Sequence, residues 1–176
     1  MDRSGWDEAC MNMVRELGKR SACRYFKIGC IFSGPEKIIV ATGYNGPPRD
    51  FPHCVDVGCS KDLNNWCRGG HAEINAISFC SGSPYKTLFL STCYVHVCPC
   101  KDCMLTLANL KVARVVYEIE YKRRVRNGNG IVKPKPDNAL EVARIAGIQV
   151  EKWNPETKLT TVILEGKMKE KGERRE

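Results

Sequence analysis

His71 and Glu73 stand two residues apart, and Pro99-Cys100-Lys101-Asp102-Cys103 follows with Cys100 29 residues beyond the histidine. One imidazole, two thiols and one carboxylate are the donor types of a hydrolytic metal centre. Cys100 and Cys103 lie three apart at a predicted helix start, so both sulfurs project from one face beside amide dipoles that favour negative charge. With His71 they make three ligands for a soft divalent ion such as Zn2+ and leave the fourth tetrahedral position to water, the arrangement of a catalytic zinc. Glu73 is too close in sequence to His71 to share the metal but close enough to reach that water, and so reads as the proton shuttle. Either half alone is weak: His-x-Glu arises often by chance, and a lone Cys-x-x-Cys is usually a structural metal site or a redox pair. Cys98 offers a competing thiol, but Pro99 steers it to extended backbone and away from the face shared by 100 and 103.

These residues need elements to hold them. Trp6–Lys19 carries Trp6, Ala9, Cys10, Met13, Val14 and Leu17 at helical spacing, which predicts an amphipathic helix frayed at Gly18. Ile28–Phe32 and Lys37–Gly43 flank Ser33-Gly34-Pro35-Glu36, the chemistry of a hairpin. Residues 43–70 are rich in Gly, Pro, Asn, Asp and Cys, too long for a plain connection, and call for a staple or a function. Beyond them the pattern predicts a helix over Ala72–Cys80, a strand over Leu88–Val97, a helix over Lys101–Leu110 and a strand over Val112–Tyr117. A helix with Asp137 as N-cap and Gly147 as its end, then a strand over Ile148–Trp153, completes an α/β alternation.

The 176 residues fit one domain, expected over residues 1–153, with a C-terminal extension over 154–176 that ends in a charged tail. No apolar run approaches the roughly 20 residues of a membrane span, and the N-terminus lacks a signal peptide, so the protein is expected to be soluble and cytoplasmic. Eleven cysteines without an export signal favour metal over disulfides. Much of the net charge of +8 is concentrated in a basic loop, residues 122–136, that contains Lys122, Arg123, Arg124, Arg126, Lys133 and Lys135.

His-x-Glu followed by Pro-Cys-x-x-Cys is the signature of zinc deaminases acting on nucleobases. Together with Gly43-Tyr44-Asn45-Gly46, the extension Ile74-Asn75-Ala76-Ile77 and Tyr121, it makes the chain resemble the deoxycytidylate (dCMP) deaminases of the cytidine deaminase superfamily over roughly residues 21–153. The resemblance implies an α/β fold of three layers, α-β-α, with a mixed central sheet of about five strands. It further implies a homohexamer converting dCMP to dUMP for thymidylate synthesis. By the same resemblance Asn45 contacts the deoxyribose, Tyr121 lies near the substrate, and Ala72 lends backbone to the base pocket. On the residues alone, Asn45 reads equally as an ordinary turn residue before Gly46. Cys23, Cys54, Cys59 and Cys67 resemble the ligands of a second, structural zinc in some bacterial and phage members, a staple for the 43–70 loop, with His53 in reserve. Cys10, Cys30, Cys80, Cys93 and Cys98 read as small hydrophobes, and His96 as a packed histidine.

The basic loop departs from the family's short acidic connection. It could take the phosphates of dCTP as well as dCMP or form a solvated surface, while Arg20, Arg24 and Lys27 are alternative phosphate contacts. Family members are regulated by dCTP and dTTP near Tyr44-Asn45-Gly46, so dCTP with Mg2+ is a candidate effector, although here Pro47-Pro48-Arg49-Asp50-Phe51 follows. Two rival readings are a deaminase of bases within nucleic acid and a non-enzymatic zinc module. The first lacks an interleaved aromatic and basic stretch. The second has no use for Glu73.

Overall fold

The computed structural model describes residues 3–60, 62, 66–120, 123–126, 132–135 and 138–166, with the backbone alone described for 123–126 and 132–135. The chain runs α1 (Trp6–Lys19), β1 (Gly29–Ser33), β2 (Ile39–Tyr44), α2 (Cys54–Val57), α3 (Ala72–Ser78), α4 (Pro84–Leu88), β3 (Thr92–Val97), α5 (Lys101–Asn109), β4 (Arg114–Ile119), β5 (Arg123–Arg126), β6 (Val132–Lys135), α6 (Ala139–Ala146), β7 (Gln149–Asn154) and β8 (Leu159–Leu164).

Six strands form the main sheet in the order β2-β1-β3-β4-β7-β8. β1 is antiparallel to β2 and β3, β3, β4 and β7 are parallel, and β8 returns antiparallel to β7. The helices α5 and α6 precede β4 and β7, the crossovers that parallel neighbours require. The α/β, three-layer, mixed-sheet expectation holds, with six strands rather than about five. The extra strand is β8, drawn from the stretch expected as a C-terminal extension. The basic loop contains its own two-stranded ribbon, Arg123 pairing with Lys135 and Arg126 with Val132.

Side chains alternate across the sheet, so each strand feeds two cores. Cys30, Phe32, Cys93, Val95, Val115, Tyr117 and Val150 face α3, α5 and α6, which bury Ala72, Ala76, Met104, Leu107 and Ala143 against them. Ile31, Tyr94, Val116 and Trp153 face α1 and meet Cys10, Met11 and Val14. Gly43 admits α3 to the sheet: a Cβ there would lie 2.4 Å from the Ala76 nitrogen and 2.7 Å from the Ala72 oxygen. The helix carrying Glu73 therefore rests on the bare backbone of β2.

Several boundaries differ from the sequence reading. Residues 88–91 are not strand, because Pro84 opens a short helix in which Leu88 is the last residue. Gly18 does not fray α1 but lies buried within it, packed against Lys27 and Gly29. The N-cap of α6 is Asn138, with φ 52° and no side-chain cap bond; Asp137 lies outside the described residues. Gly147 does end α6, at φ 75°, with the Ile148 amide donating back to the Ala143 carbonyl at 2.9 Å, a Schellman closure. Among the described residues no helix is long and apolar enough to cross a membrane.

Candidate metal and catalytic site

Two short helices aim their N-termini at one point. His71 is the N-cap of α3 and Cys100 the N-cap of α5, both with extended backbone. Their carbonyls accept the first helical bonds, from Asn75 at 3.0 Å and Met104 at 2.8 Å. Pro99 suits the extended approach to Cys100. Upstream, the Cys98 amide donates to the Ile119 carbonyl at 2.8 Å, continuing the β3–β4 pairing to the end of the strand. The site thus sits beyond the carboxyl end of β3, where open α/β sheets place their ligands.

His71 Nδ1 lies 3.4 Å from Cys100 Sγ and 3.3 Å from Cys103 Sγ. Among the described residues these three form the one group whose donor atoms gather within 4.8 Å of one another. Tetrahedral zinc at ordinary Zn–S and Zn–N lengths of about 2.3 and 2.0 Å separates nitrogen and sulfur by roughly 3.6 Å, so the observed spacing fits that ion with a few tenths of an ångström of adjustment. Cys103 is buried, Cys100 half-buried and His71 exposed, giving the group a closed floor and an open rim.

Protonation favours the same reading. The hydrogen bond from Cys103, aided against burial by His71, pulls the Cys100 thiol down to about 4, into thiolate at neutral pH. That same bond and burial push the Cys103 thiol far up. The bond with Cys100 raises His71 despite partial burial. Glu73 is 4% exposed, and burial raises its carboxyl above the ordinary range although a backbone bond and His71 oppose this. It also hydrogen-bonds Cys103. A carboxyl raised above its ordinary range beside a half-open donor set can both take and return a proton.

Ala72, between the ligand and the acid, is buried at the head of α3. Asn45 is buried too, and both ends of its amide are engaged: Oδ1 accepts from the Ile28 amide at 2.9 Å, and Nδ2 donates to the Phe26 carbonyl at 3.1 Å. Tyr121 lies outside the described residues. Cys54 and Cys59 are buried, Cys23 half-buried and Cys67 exposed. These four do not gather as tightly as the His71 group. Cys98 packs in the core. His53 is exposed, 3.8 Å from Asp56, and His96 is held by the Lys27 carbonyl at 3.0 Å.

Asn75 is a positioning residue to which the sequence reading gave no role. Its Nδ2 donates to the carbonyls of Tyr44 and Gly46, at 2.9 and 3.2 Å, and the backbones of Gly46 and Gly70 pair at 3.1 and 2.8 Å. The loop after β2 is thereby pinned beside His71. Its sequence signal is a polar residue one helical turn after a helix N-cap, between two glycine-containing loops.

Residues 4–119 match a family described as the cytidine and deoxycytidylate deaminase zinc-binding region. A deoxycytidylate deaminase of Schizosaccharomyces pombe is 28% identical over 162 residues, covering 87% of this chain and 45% of its own length. ComE operon protein 2 of Bacillus subtilis is 30% identical over 173 residues, covering 97% of this chain and 81% of its own. The crystal structure of a dCMP deaminase from the cyanophage S-TIM5 superimposes with a TM-score of 0.63 at 25% identity, over 86% of this chain and 99% of that one. The chain spans about half the length of the two yeast relatives, 45% and 46%.

Proposed function

The chain belongs to the cytidine and deoxycytidylate deaminase family, and from that membership we propose that it hydrolyses dCMP to dUMP and ammonia. The observation that carries the proposal is the convergence of His71, Cys100 and Cys103 on one metal-sized space with the buried acid Glu73 against Cys103. The cyanophage relative was crystallised with dCMP and dUMP, which supports the choice of substrate.

His71, Cys100 and Cys103 would hold the zinc, which when bound supplies Lewis acidity and lowers the pKa of a water. Glu73 takes a proton from the attacking water and gives it to ring N3, then draws a second proton from the hydroxyl now on C4 and passes it to the exocyclic amine as the C4–N bond breaks. One water is consumed and one ammonia released. Burial suits Glu73 to this traffic, because its neutral and ionised forms are brought closer in free energy. Ala72, fixed between His71 and Glu73, offers its backbone to the ring. Asn45 keeps one amide hydrogen and one oxygen lone pair beyond its bonds to Ile28 and Phe26, so it can shape the loop and still offer a contact to a sugar. Tyr121 is assigned to the substrate on the resemblance alone.

We extend the proposal to a second zinc at Cys23, Cys54, Cys59 and Cys67. The segments carrying them are already tied together: the Val55 amide donates to the Ala22 carbonyl at 3.2 Å, the Arg68 amide to Ser60 Oγ at 3.1 Å, and Arg68 Nη1 to the Pro52 carbonyl at 3.3 Å. A homohexamer and a dCTP/Mg2+ effector belong to the same proposal by family likeness.

The test is ammonia release and uracil product from dCMP, dCTP, deoxycytidine, CMP and a cytosine-containing oligonucleotide, for wild type and Glu73→Ala. Turnover of dCMP that the substitution abolishes is expected. Zinc-loaded protein that turns over none of them, with dCTP and Mg2+ supplied, overturns the proposal. About two zincs per chain, falling to one in Cys54→Ala/Cys67→Ala, is expected for the second site; one zinc in both proteins removes it.

A further inference from the structure

The stretch from Lys122 to Pro136 holds six of the chain's 28 Lys and Arg residues and no Asp or Glu. Outside it 22 cations face 20 acids, so three quarters of the net charge of +8 sits in 15 residues. Within the stretch β5 and β6 pair as an antiparallel ribbon that, among the described residues, joins no strand of the main sheet. The ribbon springs from the carboxyl end of β4, where Ile119 accepts the Cys98 amide. Arg123 comes four residues later, within about 14 Å of chain. A polyanion held there lies at the end of the sheet that carries the metal site.

Register decides what such a ribbon can hold. Facing residues of an antiparallel pair share one side of it, and so do alternate residues along each strand. Arg123 opposite Lys135 and Val125 opposite Lys133 therefore occupy one side, while Arg124 opposite Pro134 and Arg126 opposite Val132 occupy the other. Three cations stand at positions of the first side and two at positions of the second, over about 10 Å of strand. The phosphates of one nucleotide reach one side only. We infer that the ribbon binds double-stranded DNA through its phosphates, without regard to sequence. The major groove of B-form DNA, about 12 Å wide, admits a two-stranded ribbon and sets a row of phosphates along either flank of it. The corresponding groove of duplex RNA is too narrow. Single strands are held by stacking on aromatic side chains, and residues 122–136 contain none. Cations without neighbouring acids in the sequence gain most from this contact, because each phosphate they neutralise releases counterions. The inference rests on the ribbon and not on the catalytic reading.

Fluorescence anisotropy of a labelled DNA duplex of mixed sequence, titrated with the zinc-loaded full chain, tests it. Five phosphate contacts predict a slope of about −4.5 in log K against log salt, a loss of about 500-fold between 50 and 200 mM. Arg124→Gln/Arg126→Gln should reduce the slope by about 2 and weaken binding at 50 mM salt by about 100-fold. Arg124→Lys/Arg126→Lys, which keeps the charge, should retain the slope. Arg174→Gln/Arg175→Gln, an equal loss of charge elsewhere in the chain, should leave slope and affinity as they were. Unchanged far-UV circular dichroism and zinc content show each variant to be folded. No binding at 50 mM salt, or a slope that the ribbon substitutions leave unchanged, overturns the inference. Tighter binding to single strands or to duplex RNA, or equal binding to phosphatidylglycerol vesicles, overturns it too. So does a glutamine variant that keeps its DNA affinity and raises KM for dCMP or dCTP, which assigns the ribbon to the nucleotide.

Discussion

Two polar clusters lie on opposite faces of the same sheet and are solved in opposite ways. On the α1 face, Arg114 on β4 forks to two carboxylates. Its Nη1 and Nη2 reach Asp7 at 2.9 and 2.7 Å, and its Nε reaches Glu151 at 2.8 Å while Nη2 bonds the other oxygen. Tyr94 donates to Asp7 at 2.6 Å, and Gln149 donates to Glu151. Every charge there has its partner within the chain. On the other face the donor atoms of His71, Cys100 and Cys103 converge beside Glu73 and find their partners chiefly in one another. A closed network contributes stability; an open one leaves its chemistry for a ligand, and the difference lies in how fully each group is paired rather than in how buried it is.

That contrast can be broken most sharply at Glu73. Glu73→Ala should lower dCMP turnover by about 10²- to 10⁴-fold while leaving zinc content intact and the thermal midpoint unchanged or raised, since a buried carboxyl without an ion-pair partner is removed. Ammonia release and a melting curve on one preparation check both halves, and a midpoint that fell with activity would erase the distinction.

Arg114→Met is the counterpart. It leaves Asp7 and Glu151 confronting each other without a cation and should cost about 2–4 kcal/mol, read from the urea midpoint. Turnover per folded molecule should stay the same, because no atom of the network reaches the metal site.

Acid should separate the two faces next. Burial pushes Asp7 and Glu151 upward, but the bonds from Arg114, with those from Tyr94 to Asp7 and from Thr160 to Glu151, outweigh it and hold both below the ordinary carboxylate range. The unfolded chain therefore binds more protons than the folded one as pH drops beneath about 4. The stability these groups contribute is fully present above that pH and lost as pH falls through their folded values. Equilibrium unfolding in that window should be steeper with pH for wild type than for Arg114→Met; equal slopes would show that the network is not the acid-sensitive element.

The smallest expected effect is at Tyr94. Tyr94→Phe deletes one hydrogen bond to Asp7 while the Arg114 fork remains, and should cost about 1 kcal/mol with activity unaltered, measured by the same urea titration.

The cluster of His71, Cys100 and Cys103 with Glu73 was legible in the sequence because its parts are local. His71 with Glu73 and Cys100 with Cys103 are each held by one helix terminus, and Pro99 marks the approach to the second. The Arg114 network was not legible, since Asp7 lies 107 residues from Arg114 and Glu151 a further 37 beyond it. Nothing in the spacing of Asp, Arg and Glu distinguishes such a network from a solvated surface. Asn45 was read toward the substrate through its motif, and the structure adds a second role, since its amide also bonds the backbone of Phe26 and Ile28. That commitment depends on where a separate segment passes. Leu88–Ser91 looked like strand because apolar side chains suit either element, and Pro84 decided for a helical turn.

From the sequence alone came the donor set, the acid beside it and the alternation of helices and strands, because helix caps, metal-ligand spacing and side-chain periodicity act over a few residues. Only the tertiary structure decided that the two motifs meet with nitrogen and sulfur 3.3 to 3.4 Å apart, that Gly43 lets α3 settle on β2, and that residues 159–164 add a sixth strand. Those outcomes depend on which distant segments pack together, and packing is set by the shape and pairing of whole elements.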